Sequence, residues 1–230
     1  MIKNNSKIIK LAIDTYGADN GEQVVIEGCD LISKNFDIFF IFVGNKKIIE
    51  PLIKITKNIK SYSIVNTLNY VKADEKGTEA IRSGKNTSMR IAIDLVKNGK
   101  ADAIISAGNT GALLSIAYIV LRTIQGITRP AMTAYFPTKN GETAMLDLGA
   151  NIECDSKNLI DFALMGSAFS RIVLKSKNPS VGLLNVGVEA QKGNIVLQEA
   201  ASCLVNNSNK INYFGFVEGD GIAEGVVDVI

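Results

Sequence analysis

Residues 101–114, ADAIISAGNTGALL, decide how this chain is read. Ala103, Ile104 and Ile105 form a buried strand that stops at Ser106-Ala107-Gly108-Asn109-Thr110-Gly111, and an apolar helix from Ala112 to Thr123 follows. Strand, tight turn and helix start make up the repeating unit of α/β sheets. At such a turn the first free N–H groups of the helix and its positive dipole end converge on one spot. Glycines let a ligand approach the backbone closely, and the usual occupants are anions, phosphate above all. The plainer alternative is an ordinary βα turn in which Asn109 or Thr110 only caps the helix. Turns of this kind are common, so the rest of the chain has to decide.

Apolar runs and polar loops alternate on both sides of the motif. Ile8–Ile13 reads as the first strand, ending in Asp14-Thr15-Tyr16-Gly17-Ala18-Asp19-Asn20-Gly21. A helix is expected from Gln23, with Val24, Val25, Gly28, Leu31 and Ile32 on its inner face. Asp37–Val43, DIFFIFV, is a continuous apolar strand of the kind buried on both faces of a parallel sheet. A helix over Ile48–Ile55 has Pro51 in its first turn, and SYSIVNT holds a short strand. Thr78–Arg82 is helical; Thr87 or Ser88 caps the next helix, which buries Met89, Ala92, Ile93 and Val96 and stops at Gly99.

Beyond the motif, Pro130–Phe136 and Thr143–Leu148 are strands joined by a hairpin turn at Asn140-Gly141. A helix follows over Leu159–Leu174 with Phe162, Met165 and Phe169 inward, then a strand over Val181–Val186 and a loop over Gly187–Asn194. The chain closes with a helix over Ile195–Val205 and strands at Ile211–Val217 and Val226–Ile230. The alternation predicts a single α/β domain over 1–230: a mainly parallel sheet covered on both faces, with a local antiparallel hairpin. VVDVI at the end reads as a buried strand without a polar tail, so the chain is expected to be a piece of a longer protein.

Composition narrows the function. With 47% hydrophobic and 21% charged residues the chain is globular with a full core, and a net charge of +2 provides no basic stripe for nucleic acid. Cys29, Cys154 and Cys203 lie far apart with no CxxC, which argues for a reducing compartment, against zinc, and for buried inert thiols. The start, MIKNNSKIIK, is polar and basic, and Lys10 interrupts the apolar run after it, so no signal-peptide core is expected. Ala112–Leu121 contains Ser115, falls short of the ~20 residues of a membrane span, and reads as a buried helix in a cytoplasmic protein. Histidine is absent, which removes Ser-His-Asp and Cys-His chemistry, a histidine base and a histidine metal ligand. No cofactor or metal is expected.

Five loops, Asp14–Gly21, Ser106–Gly111, Asp147–Asn151, Asn185–Asn194 and Glu218–Gly221, are rich in Gly, Asn, Asp and Glu. Open α/β sheets bind ligands at the carboxyl ends of their strands, where these loops are expected. Lys192 is the only cation in them and a candidate anion contact, against the plain reading of a solvated loop lysine. Ser83-Gly84-Lys85-Asn86-Thr87 is not a phosphate loop: Gly77 is too far upstream, Asn86 stands where Ser or Thr is needed, and no GxGxxG follows any strand.

In this order, SAGNTGALL, GITRPAMTAYFPT, LDLGAN, FALMGSAF, NPSVGLLNVGVEAQKGN and FVEGDGI resemble the phosphate acyltransferase family of bacterial phospholipid synthesis, in register from Ile8 to the end. The resemblance implies a three-layer αβα fold like that of isocitrate and isopropylmalate dehydrogenases, and a homodimer. It implies that acyl-[acyl carrier protein] and inorganic phosphate give acyl phosphate and free carrier protein. The acyl phosphate would pass to a membrane glycerol-3-phosphate acyltransferase, with peripheral attachment at the inner face of the membrane. Three departures stand out. The family's Gly-Gly-Asp-His is Gly17-Ala18-Asp19-Asn20 here, and Val188-Glu189-Ala190-Gln191 is poorer in glutamate. The family also continues into Asp-Gly-Phe-x-Gly-Asn and further helices, including an asparagine that shares the site with the lysine matching Lys192, so the resemblance implies that this chain is the N-terminal two-thirds of a longer catalytic domain.

The chemistry suits a chain without histidine. Phosphate brings its own nucleophile, and a thioester leaves as a thiolate of pKa ~8.5, so strong acid help is unnecessary. Lys192 is expected to neutralise phosphate or the oxyanion; Ser106, Gly108, Asn109, Thr110 and Gly111 would cradle phosphate. Asp14, Gly17, Asp147, Asn151, Asn194 and Glu218 would order the site, with purely structural roles as the competing reading. Lys76, Arg82, Lys85 and Arg90 offer a basic stretch to an acidic carrier protein, or simply a solvated helix face. The alternatives are an acetyl-phosphate-forming phosphotransacylase using coenzyme A, and a truncated non-catalytic module that binds anions or carrier protein.

Overall fold

A computed structural model of the chain describes residues 8–151, 153–189, 191–207 and 209–230. Contacts gather into two compact units, one ending at Arg122 and the other spanning Thr123–Ile230.

In the first unit the elements run β1 (Ile9–Asp14), α1 (Gly21–Ile32), β2 (Ile38–Gly44), α2 (Lys46–Lys54), β3 (Ser61–Asn66), α3 (Gly77–Ser83), α4 (Ser88–Lys97), β4 (Ala103–Ser106) and α5 (Thr110–Leu121). The strands form one parallel sheet in the order β3-β2-β1-β4. Alternation along the strands sorts the core onto two faces. Ile13, Phe40 and Phe42 pack with Ile26 of α1 and Ile49 and Ile53 of α2. Ala12, Ile41 and Val43 point the other way, onto Ala92 of α4. Burying a side chain such as Phe42 contributes about 1.5–3 kcal/mol.

Four local expectations shift. α1 buries Ile26 and Cys29, while Val24 and Leu31 are exposed; three consecutive apolar residues, Val24-Val25-Ile26, leave the helical phase ambiguous. α2 starts two residues earlier than expected because Asn45 caps it, its side chain accepting from Lys47 N–H at 3.0 Å, which leaves Pro51 inside the helix. β4 is an edge strand, so Ile105 is 52% exposed rather than buried. α5 likewise buries one stripe, Ala112, Ile116 and Val120, and exposes Tyr118 and Ile119.

The second unit holds β5 (Thr133–Thr138), β6 (Gly141–Leu146), α6 (Ser156–Val173), β7 (Ser180–Leu184), α7 (Ile195–Asn206), β8 (Asn212–Val217) and α8 (Gly219–Glu224). β5 and β6 form the expected antiparallel hairpin, turning at Lys139-Asn140, one residue earlier than expected. β7 pairs β8 in parallel. The segment expected as a last strand works as a seam: Val229 bridges Ala144 of β6 and Val181 of β7, both in parallel. Gly182 N–H donates to Val229 O at 2.8 Å and Ile230 N–H to Ala144 O at 2.9 Å. Parallel pairing across this seam puts the ends of β6, β7 and β8, at Asp147, Asn185 and Glu218, on one edge.

α6 packs through small residues, since a Cβ on Gly166 would lie 2.4 Å from Val229 Cγ1. Its inner face carries Phe162, Ala163, Gly166, Ser167 and Ser170, with Met165 and Phe169 only half-buried. Among the described residues, no helix is long and apolar enough to cross a membrane.

Candidate functional site

The first unit assembles one cluster at the carboxyl edge of its sheet. Asp14 ends β1 and Ser106 ends the adjacent β4, so strand register sets them side by side. Ser106 Oγ donates to Asp14 Oδ2 at 2.7 Å, Gly108 N–H donates to Ser106 Oγ at 3.2 Å, and Tyr16 N–H donates to Asp14 Oδ1 at 3.4 Å. Asp14 is only 2% exposed. Burial pushes its carboxyl above the usual carboxylate value, and the Ser88 and Ser106 hydroxyls and Tyr16 N–H pull it part of the way back. The buried Ser88 hydroxyl achieves no hydrogen bond of good geometry among the described residues.

Two glycines let the loops after β1 and β4 meet. Gly17 has φ +88°, and a Cβ on it would lie 2.6 Å from Gly108 Cα. Tyr16 stacks on Tyr70 at a ring separation of 4.8 Å beside this contact.

Asn109 caps α5 with its Oδ1, which accepts from Ala112 N–H at 2.9 Å. Its Nδ2 donates to the carbonyls of Lys72, Ala73 and Glu75 at 3.3, 2.9 and 2.8 Å. The side chain is fully committed to holding the 72–75 loop on the helix start. The N–H groups of Thr110 and Gly111 have no partner among the described residues, and both residues are exposed. A Cβ on Gly111 would meet nothing closer than Asn109 Oδ1 at 3.6 Å, so the first turn has room beside this residue. Those two donors and the dipole behind them suit an anion.

The basic stretch beside it is less uniform than its sequence. Arg90 Nε holds Asp94 at 3.0 Å and is half-buried, whereas Lys76, Arg82 and Lys85 are exposed.

The second unit builds its own cluster. Asp147 follows β6 with φ +57°, a backbone state that aspartate tolerates better than most residues. Asn151 Nδ2 donates to Asp147 Oδ1 at 3.1 Å and to Pro130 O at 3.0 Å, while Asn151 N–H donates to Asp147 Oδ2 at 3.2 Å. Cys154 is half-buried rather than buried, with Sγ 3.8 Å from Asp147 Oδ2; burial first, then that carboxylate, push its thiol up. Cys29 is buried as expected, its thiol pushed up to about 12. An apolar cavity of about 240 Å³ opens beside Asp147, lined by Leu159, Phe162, Leu183, Leu184, Leu197 and Ile230. The sequence reading missed it because its walls come from strands and helices far apart in the chain.

Lys192 is exposed and makes no ion pair among the described residues. Its stem lies over Gly187, where a Cβ would sit 3.0 Å from Lys192 Cγ. Asn194 caps α7, accepting from Leu197 N–H at 3.0 Å. The expected Gly187–Asn194 loop includes position 190, which lies outside the described residues. Glu218 stands at the cap position of α8 without a side-chain bond to it, so the expected Glu218–Gly221 loop is the start of a helix.

A family model described as "Fatty acid synthesis protein" matches residues 9–230. The chain is 47% identical over 222 residues to the phosphate acyltransferase of Rhodospirillum centenum, covering 96% of this chain and 62% of that protein. It is 40% identical over 227 residues to the phosphate acyltransferase of Rhodospirillum rubrum, covering 98% of this chain and 65% of that protein. The chain thus spans less than two thirds of the length of these curated relatives. Among solved structures it is similar to the EutD phosphotransacetylase from Staphylococcus aureus, with a TM-score of 0.65 at 19% identity over 96% of this chain and 76% of that one. A branched-chain phosphotransacylase from Enterococcus faecalis V583 aligns with a TM-score of 0.61 at 14% identity, over 91% of this chain and 68% of that one. At these identities the solved structures show the fold alone. The family match over residues 9–230 carries the assignment: the chain belongs to the fatty acid synthesis protein family, in which its curated relatives are bacterial phosphate acyltransferases.

Proposed function

We propose that the full protein is an acyltransferase that converts acyl-[acyl carrier protein] and inorganic phosphate into acyl phosphate and free carrier protein. A phosphate oxygen attacks the thioester carbonyl carbon, a tetrahedral oxyanion forms, and the C–S bond breaks with the electron pair leaving on the carrier thiolate. The observation that carries the reading is the pair of unpartnered N–H groups on the exposed residues Thr110 and Gly111, at the helix start that follows the Asp14–Ser106 hydrogen bond. Such donors hold phosphate without a histidine or any other base, because the nucleophile arrives already ionised.

In this reading Ser106, Gly108, Thr110 and Gly111 cradle phosphate, and Asn109 acts through the helix start that it caps. Lys192 supplies positive charge to phosphate or to the developing oxyanion. Asp14, Gly17, Asp147, Asn151, Asn194 and Glu218 order the loops, and the apolar cavity beside Asp147 accommodates acyl carbons. The overall architecture is a three-layer αβα fold of the isocitrate and isopropylmalate dehydrogenase type. The protein works as a cytoplasmic homodimer, peripheral at the inner membrane face, and hands acyl phosphate to a membrane glycerol-3-phosphate acyltransferase.

The test is phosphate-dependent release of free thiol from palmitoyl-carrier protein, run on this chain and on a chain extended to the length of its relatives. Release in the extended chain supports the reaction. Release only from acetyl-coenzyme A would replace it with a phosphotransacylase. Phosphate or carrier-protein binding without turnover in both chains would leave a binding module.

A further inference from the structure

Three consecutive carbonyls around Lys192 are each held by a side chain. Asn185 Nδ2, at the end of β7, donates to Lys192 O at 3.1 Å. Gln198 Nε2, in the first turn of α7, donates to Gln191 O at 3.0 Å and to Gly193 O at 3.2 Å. Asn185 is 8% exposed, and its Oδ1 accepts from Val186 N–H at 2.9 Å. Gly193 has φ +85°, and a Cβ on it would lie 2.5 Å from Asn185 Oδ1, so the loop is pressed directly onto that side chain. The Lys192 N–H donates to Glu189 O at 2.9 Å. The backbone on both sides of Lys192 is therefore tied down, while its ammonium makes no ion pair among the described residues. An exposed loop lysine with no task would need no such anchoring, since a solvated loop satisfies its carbonyls with water.

We infer that Asn185 and Gln198 are positioning residues that hold Lys192 for an anion; the inference rests on the role proposed for Lys192 above. Neither touches the reacting atoms. They fix the point from which the flexible lysine stem departs, and misplacing a binding group by about 1 Å costs on the order of 100-fold in rate.

The experiment is a double-mutant cycle on the full chain. Gln198→Met keeps the side-chain length and removes the donor; Asn185→Asp keeps the oxygen that accepts from Val186 and removes the donor. Each is made alone and combined with Lys192→Ala. Two quantities are read: kcat/KM for phosphate, and the apparent Kd of inorganic phosphate from its concentration-dependent thermal stabilisation. Each single variant is expected to lower kcat/KM for phosphate by about 10-fold or more, and to weaken the Kd by as much where Lys192 holds phosphate in the ground state, with the KM for the acyl donor unchanged and no further loss of either once Lys192 is alanine. An equal loss in the Lys192→Ala background, or no loss in the folded Gln198→Met variant, would show that the clamp serves only loop stability and would overturn the inference. Unchanged phosphate binding and turnover in Lys192→Ala itself would instead remove the role of Lys192, and the inference with it.

Discussion

Gly17 and Gly108 meet so closely that a Cβ on the first would lie 2.6 Å from the Cα of the second. The contact joins the loop after β1 to the loop after β4, the two strands whose ends are linked by the Asp14–Ser106 hydrogen bond. No side chain fits between them, so the backbone around the start of α5 is placed by β1 as well as by β4. Gly17→Ala combines two costs: a left-handed φ of +88° and a backbone clash that cannot relax by rotating a side chain. Together these are worth about 2–4 kcal/mol. Gly21→Ala shares the φ penalty, at +74°, but meets nothing within 4 Å, so about 1 kcal/mol is expected. Urea unfolding of the two variants checks the difference, and equal losses would show that the close approach contributes nothing.

Asp14 sets a pH dependence whose sign follows from its environment. Burial raises its folded-state pKa above the ordinary 3.8, so the charged form is disfavoured by folding. The stability this residue contributes is complete below that ordinary value and is lost as the pH rises through the raised folded-state pKa. Asp14→Asn is nearly isosteric and cannot ionise. Its stability relative to the parent should therefore increase as the pH rises above 3.8 and then level off. Urea midpoints measured from pH 4 to pH 8 give the curve; a difference that shrinks with rising pH would reverse the assignment.

Gly111 separates binding from stability. Its φ is helical and an added Cβ finds only an ordinary contact at 3.6 Å, so Gly111→Ala should fold at least as well as the parent, with a gain of about 0.5 kcal/mol. The methyl group would occupy the open side of the helix start, next to the unpartnered N–H groups. Phosphate-dependent thermal stabilisation should weaken while the melting temperature without phosphate holds or rises. Retention of full phosphate binding would place the anion elsewhere.

Much of this was legible along the chain, and the exceptions share a cause. The βα turn, the Asn109 cap and the apolar β2 are local patterns, readable from a few adjacent residues. The phase of α1 was not, because Val24-Val25-Ile26 satisfies two helical faces and only packing against β2 and α2 selects Ile26. The edge position of β4 was not, because Ala-Ile-Ile reads alike in the centre and at the rim of a sheet. The site divides in the same way. Asp14 and Lys192 stand out by residue type and loop composition, but the Gly17–Gly108 contact depends on β1 pairing with β4. The Gln198 bonds to the Lys192 loop cross a helix cap, Asn194, that sequence reading treats as a boundary.

Lys192 offers the most direct test of the proposed chemistry. Its side chain is exposed and makes no ion pair among the described residues, so Lys192→Ala removes a charge without breaking a bridge or opening a cavity. Stability should change by less than about 0.5 kcal/mol, as for surface substitutions generally. If the ammonium stabilises the oxyanion, kcat should fall about 100- to 1,000-fold with little change in the KM for phosphate. If it holds phosphate equally in ground and transition states, the KM for phosphate should rise while kcat stays near the parent value. Lys192→Arg distinguishes the two further, because a planar guanidinium can hold phosphate from this loop but cannot replace a compact ammonium aimed at one oxygen. Steady-state kinetics of both variants at saturating palmitoyl-carrier protein resolve the two roles, and parent-like kinetics in Lys192→Ala would exclude both.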